Sequence, residues 1–421
     1  MNPILRREFL GAFGIGSATA AFPVPALVEA DLPAGRHGER RRVFVTERPD
    51  GRFIDTAGFL HHLMKTNPPK LGFDPTMKRE KFPAWQAAIR EKLAELMAFP
   101  EVPPQPPPKR LWIRKKQGYQ IQKWEAYPEP YSVVPFMIAI PDGVSPRSPA
   151  PAVMCFPGST GSLESLVGLP EVFPKAKAKA ARTPKWKRQD NRMAWHFARR
   201  GMVAVAVANP ATNDTDSPIR SRAETALNAI WLGRCYLGIS AFQKAKILEW
   251  ISEQPYVDRD RIAVCGHSLG AEPADVLGVL YPDLVKAVIH NDFCCNWIER
   301  TIALSGWVPP VHHLVPGMYQ WYDATDLEAS LAPRPLLFTE GGRANQLAKI
   351  AAAYRLNNAE ENLTIYHYKK YEDPKARVHD FKPLPEGLTQ EEYLAHANVD
   401  VEKHCFRPAR AVPWLARVFG M

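Results

Sequence analysis

The segment Gly266-His267-Ser268-Leu269-Gly270 has the spacing G-x-S-x-G, which presents a serine hydroxyl as a nucleophile for acyl transfer. A short apolar run at 261–265 predicts a buried strand directly before it, and a helix is predicted from Leu269 onward. The two glycines permit a sharp turn between strand and helix. The turn would raise the Ser268 hydroxyl above the sheet edge, at the positive end of the helix.

The residues that lead into this motif, Val257-Asp258-Arg259-Asp260-Arg261-Ile262-Ala263-Val264, resemble the same segment in the α/β-hydrolase superfamily. They are most similar to its dienelactone-hydrolase-like and acetyl xylan esterase-like members. The resemblance covers about residues 130–420. It implies an α/β-hydrolase fold with Ser268 as nucleophile, and it says little about the substrate.

A serine nucleophile needs a base that accepts its proton, and we expect that base late in the chain, after the last strand. His379, in Val378-His379-Asp380-Phe381, follows by eight residues the strand predicted at 363–371. That is the loop that carries the base in the superfamily, so His379 is the predicted base. The rival histidines are His367 inside the predicted strand, His404 beyond the expected loop, and His312 and His313.

The acid that orients the base has two candidates. The resemblance places it after the strand predicted at 334–339, where Glu340-Gly341-Gly342-Arg343-Ala344-Asn345 lacks the usual Asp. Asp292 follows the preceding strand, 24 residues after Ser268, and some related esterases take their acid from that position. We predict Asp292, with Glu340 at the tip of the usual strand as the alternative.

The oxyanion of an acyl-transfer intermediate needs two N–H donors. The first is predicted to be the N–H of Leu269, directly after the nucleophile. The second is expected in the loop Phe156-Pro157-Gly158-Ser159-Thr160-Gly161, in which Gly158 and Ser159 are the candidates. Pro157 stands where the superfamily often has His, but the donor is a backbone group, so the function can be retained.

An insertion at about 293–330 is predicted to form a cap over the site. It carries aromatic residues that suit sugar rings or aryl esters, and that could equally pack the cap's own small core. These residues are Trp297, Trp307, Tyr319, Trp321 and Tyr322.

The elements that must position these residues alternate between short apolar runs and helical patterns. Strands are predicted at 110–115, 119–127, 133–140, 152–156, 202–208, 261–265, 285–290, 334–339 and 363–371. Helices are predicted at 83–98, 191–200, 224–253, 269–280, 346–356 and 409–419. This order predicts an α/β fold with a mostly parallel central sheet and helices on both faces, whose ligands bind beyond the carboxyl ends of the strands.

Three regions are expected along the chain. Residues 1–30 contain Arg6-Arg7 before a small and apolar run, the pattern of a twin-arginine (Tat) export signal, so we predict a periplasmic or secreted protein. Residues 31–130 are expected to be an N-terminal extension that packs on the core. Residues 131–421 are the predicted α/β-hydrolase catalytic domain. No later apolar run approaches the ~20 residues of a membrane helix, so no stable anchor is expected after signal removal.

Composition limits the partners. The chain has 421 residues, 46% hydrophobic residues and a formal net charge of +10, yet no basic cluster alternates with aromatic residues, so nucleic acid is not a predicted partner. The six cysteines (155, 235, 265, 294, 295 and 405) do not form a dense framework, and their pairing stays open. They show no zinc signature, and neither a metal nor a cofactor is predicted.

The function that these residues favour is a secreted serine esterase. By resemblance its substrate is a small-molecule or polysaccharide ester such as acetylated xylan, cleaved through an acyl-enzyme on Ser268. A prolyl-oligopeptidase-type peptidase shares the fold and triad, but about 120 preceding residues are too few for a propeller. A catalytically inactive binding protein of the same fold is the third possibility, supported by the missing Asp after Thr339.

Overall fold

The central sheet has nine strands among the residues that the computed structural model describes, which are 44–159, 161–170, 190–212, 221–305 and 309–421. In space the strands follow the order β1-β2-β3-β5-β4-β6-β7-β8-β9. Strands β1, β2, β3 and β5 pair antiparallel, and all pairs from β5 through β4 to β9 are parallel. The strands are β1 (Lys109–Lys116), β2 (Tyr119–Ala126), β3 (Val134–Pro141), β4 (Ala150–Phe156), β5 (Val203–Val207), β6 (Val257–His267), β7 (Val285–Asn291), β8 (Leu336–Phe338) and β9 (Leu363–Ile365). The mostly parallel sheet predicted from the sequence is confirmed.

Helices cover both faces of this sheet. They are α1 (Thr56–Thr66), α2 (Phe82–Met97), α3 (Leu163–Leu166), α4 (Met193–Arg199), α5 (Arg222–Trp231), α6 (Tyr236–Ser252), α7 (Ala271–Leu280), α8 (Trp297–Ala303), α9 (Ala324–Ala329), α10 (Ala344–Leu356), α11 (Gln390–His396) and α12 (Pro408–Val418). None of the helices in the described part of the chain is long and apolar enough to cross a membrane.

Strand β4 shows why the apolar runs lack alternation. All seven of its residues are buried, because each face of the sheet has its own core. Met154 and Phe156 belong to the core beneath α2, α6 and α7. Val153 and Cys155 point the other way, into the core beneath α4 and α12. Side chains that alternate between two apolar layers produce a continuous hydrophobic sequence.

The described part of the region 31–130, which begins at residue 44, contributes to both the sheet and a core. Strands β1 and β2 extend the sheet at its antiparallel end. Helix α2 carries apolar residues at helical spacing, and Ile89 and Leu93 are fully buried. The predicted boundary at 130 falls between β2 and β3, which are hydrogen-bonded neighbours. The predicted export segment, residues 1–30, lies outside the described residues.

Two predicted elements differ from the structure. The helix expected at 224–253 is divided into α5 and α6, because Gly233 adopts a left-handed φ of 69° and the Cys235 thiol caps the start of α6. Strand β9 was expected to run to Tyr371 and ends at Ile365, followed by a short 3₁₀ turn at Lys369–Tyr371. Because β9 ends six residues early, the loop that follows the last strand begins at residue 366 and not after Tyr371.

The packing of α2 makes a test of the fold possible. We expect Leu93→Ala to lower the free energy of unfolding by about 2 to 5 kcal/mol, because it leaves a cavity in a fully buried site. Leu227→Ala, the same change on a helix where the side chain is 54% exposed, should cost less than about 1 kcal/mol. Urea denaturation of both variants measures the difference. A loss of unfolding free energy in Leu93→Ala as small as that in Leu227→Ala would show that α2 is not part of the core.

Candidate active site

The turn at Ser268 links β6 to α7 through a short 3₁₀ turn, Ser268–Gly270. Ser268 has a φ of 51°, a left-handed conformation that is strained for a residue other than glycine. The flanking glycines are required by close packing: a Cβ on Gly266 would lie 2.0 Å from the Gly270 carbonyl oxygen, and one on Gly270 would lie 2.3 Å from that of Phe156. The sharp strand–turn–helix expected for the G-x-S-x-G segment is therefore present.

A cavity of about 280 Å³ opens in front of this turn. Ser268 and Leu269 line it together with Asp292 and His404. The segment at 293–330 also lines the cavity, through Phe293, Cys295, Trp297, Arg300, His313, Ala324 and Glu328. The insertion that was predicted to cover the site thus contributes part of its wall.

His404 shares the cavity with Ser268 and contacts the carboxylates that follow β7 and β8. Its Nδ1 lies 2.6 Å from Glu340 Oε2 and 3.8 Å from Asp292 Oδ1. The first distance is that of a short charge-assisted hydrogen bond, and the second is beyond hydrogen-bond length. A bond at Nδ1 leaves the opposite ring nitrogen, Nε2, as the atom that can serve a reacting serine.

Glu340 is fully buried and is held by several donors. Tyr368 Oη donates to its Oε2 at 2.6 Å, and the backbone N–H of Cys405 donates to its Oε1 at 3.2 Å. The Arg407 guanidinium lies 3.6 Å from Oε1. These contacts offset the cost of burying a carboxylate and fix its orientation toward His404.

The loop that carries His404 is attached to the end of β7 by Asn291. The Asn291 side chain donates from Nδ2 to the Cys405 carbonyl at 3.0 Å and accepts from the Arg407 N–H at 2.9 Å. The His404 ring also stacks on His267, which precedes the serine, with centroids 4.9 Å apart. These contacts connect the histidine loop to the two strands whose ends carry Ser268 and Asp292.

The charges around His404 favour its protonated form. Burial lowers the pKa of His404, but the nearby Asp292 and Glu340 carboxylates and the Glu340 hydrogen bond raise it further, to about 9. Burial raises the pKa of Asp292, against the opposing effect of His404. Burial, with the neighbouring His404 and Arg407 charges, holds the pKa of His267 well below its usual value, so His267 stacks as a neutral ring.

The structure does not place His379, the predicted base, among the residues that line this cavity. The His379 ring packs on His396 instead, with centroids 3.8 Å apart. The physical reason is the early end of β9 at Ile365: the chain then forms 3₁₀ turns and α11 before it returns to the site at His404. His404 is one of the four rival histidines named from the sequence, where it counts as lying beyond the expected loop, and its position shortly before α12 is the signal that could have favoured it.

Both predicted acids lie near His404, but the one that the sequence made the alternative is the nearer of the two. Glu340, the alternative, makes the hydrogen bond, and Asp292, the preferred residue, is 3.8 Å from the same nitrogen. Glu340 comes two residues after the end of β8. From there its carboxylate reaches His404 and takes the place of the Asp that the superfamily usually has slightly later in this loop. The negative charge of Asp292 acts on the His404 ring without a hydrogen bond between them.

The loop after β4 lies against the serine, as expected for the second oxyanion donor. A Cβ on Gly158 would be 3.3 Å from Ser268 Cβ and 2.8 Å from His267 Nδ1, so only glycine fits there. The Asn209 side chain donates to the Pro157 carbonyl at 2.7 Å, and Arg222 donates to the Ser159 carbonyl at 2.8 Å. These bonds fix two carbonyl groups of the loop that carries the candidate donors Gly158 and Ser159.

Of the five aromatic residues suggested for the pocket, Trp297 lines it. Its ring lies 4.9 Å from that of His313, which contacts Glu272 at 2.8 Å. Tyr322 is fully buried in the core, and Trp321 lies beneath the ammonium groups of Lys70 and Lys92. Trp307 lies outside the described residues. All six cysteines are free thiols.

Comparison with known proteins shows the family and the fold. A crystal structure of a candidate acetyl xylan esterase from Bacteroides fragilis NCTC 9343 is 34% identical, with a TM-score of 0.81, and the match covers 89% of this chain and 98% of that chain. The methylesterase BT1017 is 16% identical with a TM-score of 0.51, covering 86% of this chain and 78% of that one, and supports the fold alone. No curated protein matches the sequence at a significant level.

The family model described as the Abhydrolase family matches residues 36–417, nearly the whole of the described chain. The mostly parallel sheet, the helices on both faces and the serine turn at the end of β6 are the features of the α/β-hydrolase fold. The chain therefore belongs to the Abhydrolase family of α/β-hydrolases.

Proposed function

We propose that this protein is a serine esterase that hydrolyses carboxylic esters, with Ser268 as nucleophile, His404 as base and Glu340 as the acid that orients His404. One observation carries the proposal: a strained serine turn shares a cavity with a histidine whose Nδ1 lies 2.6 Å from a buried carboxylate. Nucleophile, base and orienting acid are the three parts of a serine-hydrolase triad.

In the acylation half, Ser268 Oγ attacks the ester carbonyl while His404 Nε2 accepts its proton. The imidazolium that forms keeps its Nδ1–H on Glu340, and the nearby Asp292 adds a second negative charge. Because both carboxylates favour the cationic ring, they stabilise the charge that develops in the transition state. His404 then gives its proton to the leaving alkoxide, and an acyl-enzyme remains on Ser268.

In the deacylation half, neutral His404 removes a proton from water, which attacks the acyl carbonyl and releases the acid. Both tetrahedral intermediates place an oxyanion toward the N–H groups of Leu269 and of Ser159 or Gly158. The left-handed conformation of Ser268 keeps its hydroxyl near the N-terminal end of α7, where the helix dipole also favours negative charge. These residues complete the reaction without a bound cofactor.

The substrate class that we propose is an ester on a carbohydrate, with an acetyl group as the acyl part. The support comes from similarity to the B. fragilis candidate acetyl xylan esterase across 98% of that chain. Trp297 offers an aromatic surface in the same cavity as Ser268, and such surfaces suit sugar rings. We further propose export through the Tat signal at residues 1–30, which rests on Arg6-Arg7 and the apolar run after them.

The first test compares p-nitrophenyl acetate with acetylated xylan. We expect wild type to hydrolyse both and to be labelled at Ser268 by a fluorophosphonate. Ser268→Ala should lose the label and at least about 10³-fold in kcat, since the nucleophile is removed. Cleavage of peptides in place of esters would favour the peptidase alternative. Absence of both labelling and hydrolysis in folded wild type would favour an inactive binding protein.

The second test separates the two histidines by the same substitution. We expect His404→Ala to lower kcat for p-nitrophenyl acetate by about 10³-fold or more, because no base then accepts the serine proton. His379→Ala is the matched control, since its ring packs on His396 and is not among the residues that line the cavity, and it should change kcat by less than about 3-fold. A larger loss in His379→Ala than in His404→Ala would overturn the assignment of the base.

The third test uses pH to separate charge from hydrogen bonding. Because only neutral His404 accepts a proton, kcat/KM should rise with pH through its pKa of about 9. Asp292→Asn removes a charge that raises this pKa, so the rise should move to lower pH with kcat within about 10-fold of wild type. Glu340→Gln should move the rise in the same direction and also lower kcat by about 10²- to 10⁴-fold, through loss of the orienting bond.

The two carboxylate variants are controls for each other. A greater loss of kcat in Asp292→Asn than in Glu340→Gln would make Asp292 the orienting acid. If kcat/KM rises at the same pH in wild type and in both variants, neither carboxylate changes the pKa of the base.

A further inference from the structure

A second cluster of titratable residues stands in the wall of the same cavity, separate from His404 and its acids. Asp275 of α7, His290 of β7 and Glu328 of α9 each line the cavity. His290 Nδ1 lies 2.8 Å from Asp275 Oδ2 and 3.7 Å from Glu328 Oε1. We call these three residues the Asp275 cluster, and the proposed mechanism does not use it.

The Asp275 cluster is buried and incompletely satisfied. Asp275, His290 and Glu328 are 6%, 7% and 1% exposed. Within the described part of the chain, Asp275 Oδ1 and Glu328 Oε1 are buried and have no hydrogen-bond donor. Two carboxylates close to one imidazole are costly to bury unless positive charge or protons compensate them. The two free oxygens therefore point to a cationic ligand.

The geometry fits a small metal ion. One donor atom from each of the three residues can be chosen such that all lie within 4.8 Å of one another. Zinc bonds of about 2.0–2.2 Å in a tetrahedral site place neighbouring donor atoms about 3.3–3.6 Å apart. His290 Nδ1 lies 2.8 Å from Asp275 Oδ2 and 3.7 Å from Glu328 Oε1. The second separation is already close to that range, and the first would have to widen by about half an ångström as the hydrogen bond is replaced by the ion.

We propose that the Asp275 cluster binds one divalent transition-metal ion of the zinc or manganese type. His290 Nδ1, an Asp275 oxygen and Glu328 Oε1 are the protein ligands, and the remaining coordination position faces the cavity. An imidazole with two carboxylates suits these ions. On binding, the ion takes the place of the proton that His290 shares with Asp275, and that proton leaves to solvent. Positions 275, 290 and 328 fit no short metal motif, which is why the sequence predicted no metal.

The test is calorimetric titration of tag-free wild type with Zn²⁺ after dialysis against EDTA and removal of the chelator, and a parallel titration with Mn²⁺. We expect saturable binding of one Zn²⁺ or Mn²⁺ to the Asp275 cluster. Asp275→Asn and Glu328→Gln, which nearly preserve side-chain shape, should each weaken binding by about 100-fold or more, since each removes a charged ligand. Mg²⁺ should bind more weakly than either ion, because it requires near-ideal octahedral oxygen ligands.

Glu340→Gln is the matched control. It removes one negative charge from the other histidine–carboxylate cluster in the cavity and should leave Zn²⁺ affinity within about 3-fold of wild type. Loss of binding in Glu340→Gln but not in Asp275→Asn would place the ion at His404 and overturn the proposal. Ser268→Ala keeps the Asp275 cluster intact and should bind as wild type does, so this result is independent of whether the protein is an esterase.

Folding of the variants is checked by circular dichroism and by thermal unfolding in EDTA. Zn²⁺ should raise the melting temperature of wild type and of Glu340→Gln, because the ion binds the folded state, and should leave that of Glu328→Gln unchanged. Folded wild type that binds neither Zn²⁺ nor Mn²⁺ would overturn the proposal and would mean that protons alone neutralise the cluster. Equal affinity in wild type, Asp275→Asn and Glu328→Gln would overturn it as well.

Discussion

The parallel register of β6, β7 and β8 is the constraint on which the site depends. His267 pairs with Asn291, and His290 pairs with Phe338, so the carboxyl ends of the three strands stand side by side. Ser268, Asp292 and Glu340 each come within two residues of such an end. Parallel strands bring sequence-distant residues together at one edge of the sheet, and an apolar core packs on each face of these strands.

The histidine reaches this edge by a different route. Between β9 and α12 the chain forms a small separate core that contains Tyr368, Tyr371, Leu388 and Tyr393 and also takes in Leu304 from the segment after α8. Tyr368 belongs to that core and donates to Glu340, so packing and site geometry are linked at one side chain. The Asn291 bonds then attach the loop to β7. The long path from β9 to His404 is therefore anchored at both the sheet and the site.

Local sequence patterns predicted most strands and helices and the sharp turn at Ser268, because each of these is determined by neighbouring residues. The apolar run of β4 predicted a strand buried on both faces, and the glycines around Ser268 predicted the turn. The base could not be obtained in the same way. Its identity depends on where β9 ends and on an extra helix, α11, which together decide which of several histidines returns to the sheet edge.

The choice of acid and the Asp275 cluster show a similar limit. Asp292 and Glu340 follow adjacent strands, and only the tertiary contacts of Tyr368 and Cys405 turn the Glu340 carboxylate toward His404. Asp275, His290 and Glu328 come from a helix, a strand and a second helix, so no spacing in the sequence indicates that they meet. Proximity of this kind is a property of the fold.

The measurement that tests the central claim most directly is a crystal structure of the protein after reaction with a fluorophosphonate. The account predicts a phosphonyl group on Ser268 Oγ, one phosphonyl oxygen within hydrogen-bond reach of the Leu269 and Ser159 N–H groups, and the His404 ring beside the adduct with Nδ1 on Glu340. An adduct on another residue, or an adduct on Ser268 with His379 in place of His404 beside it, would contradict the account.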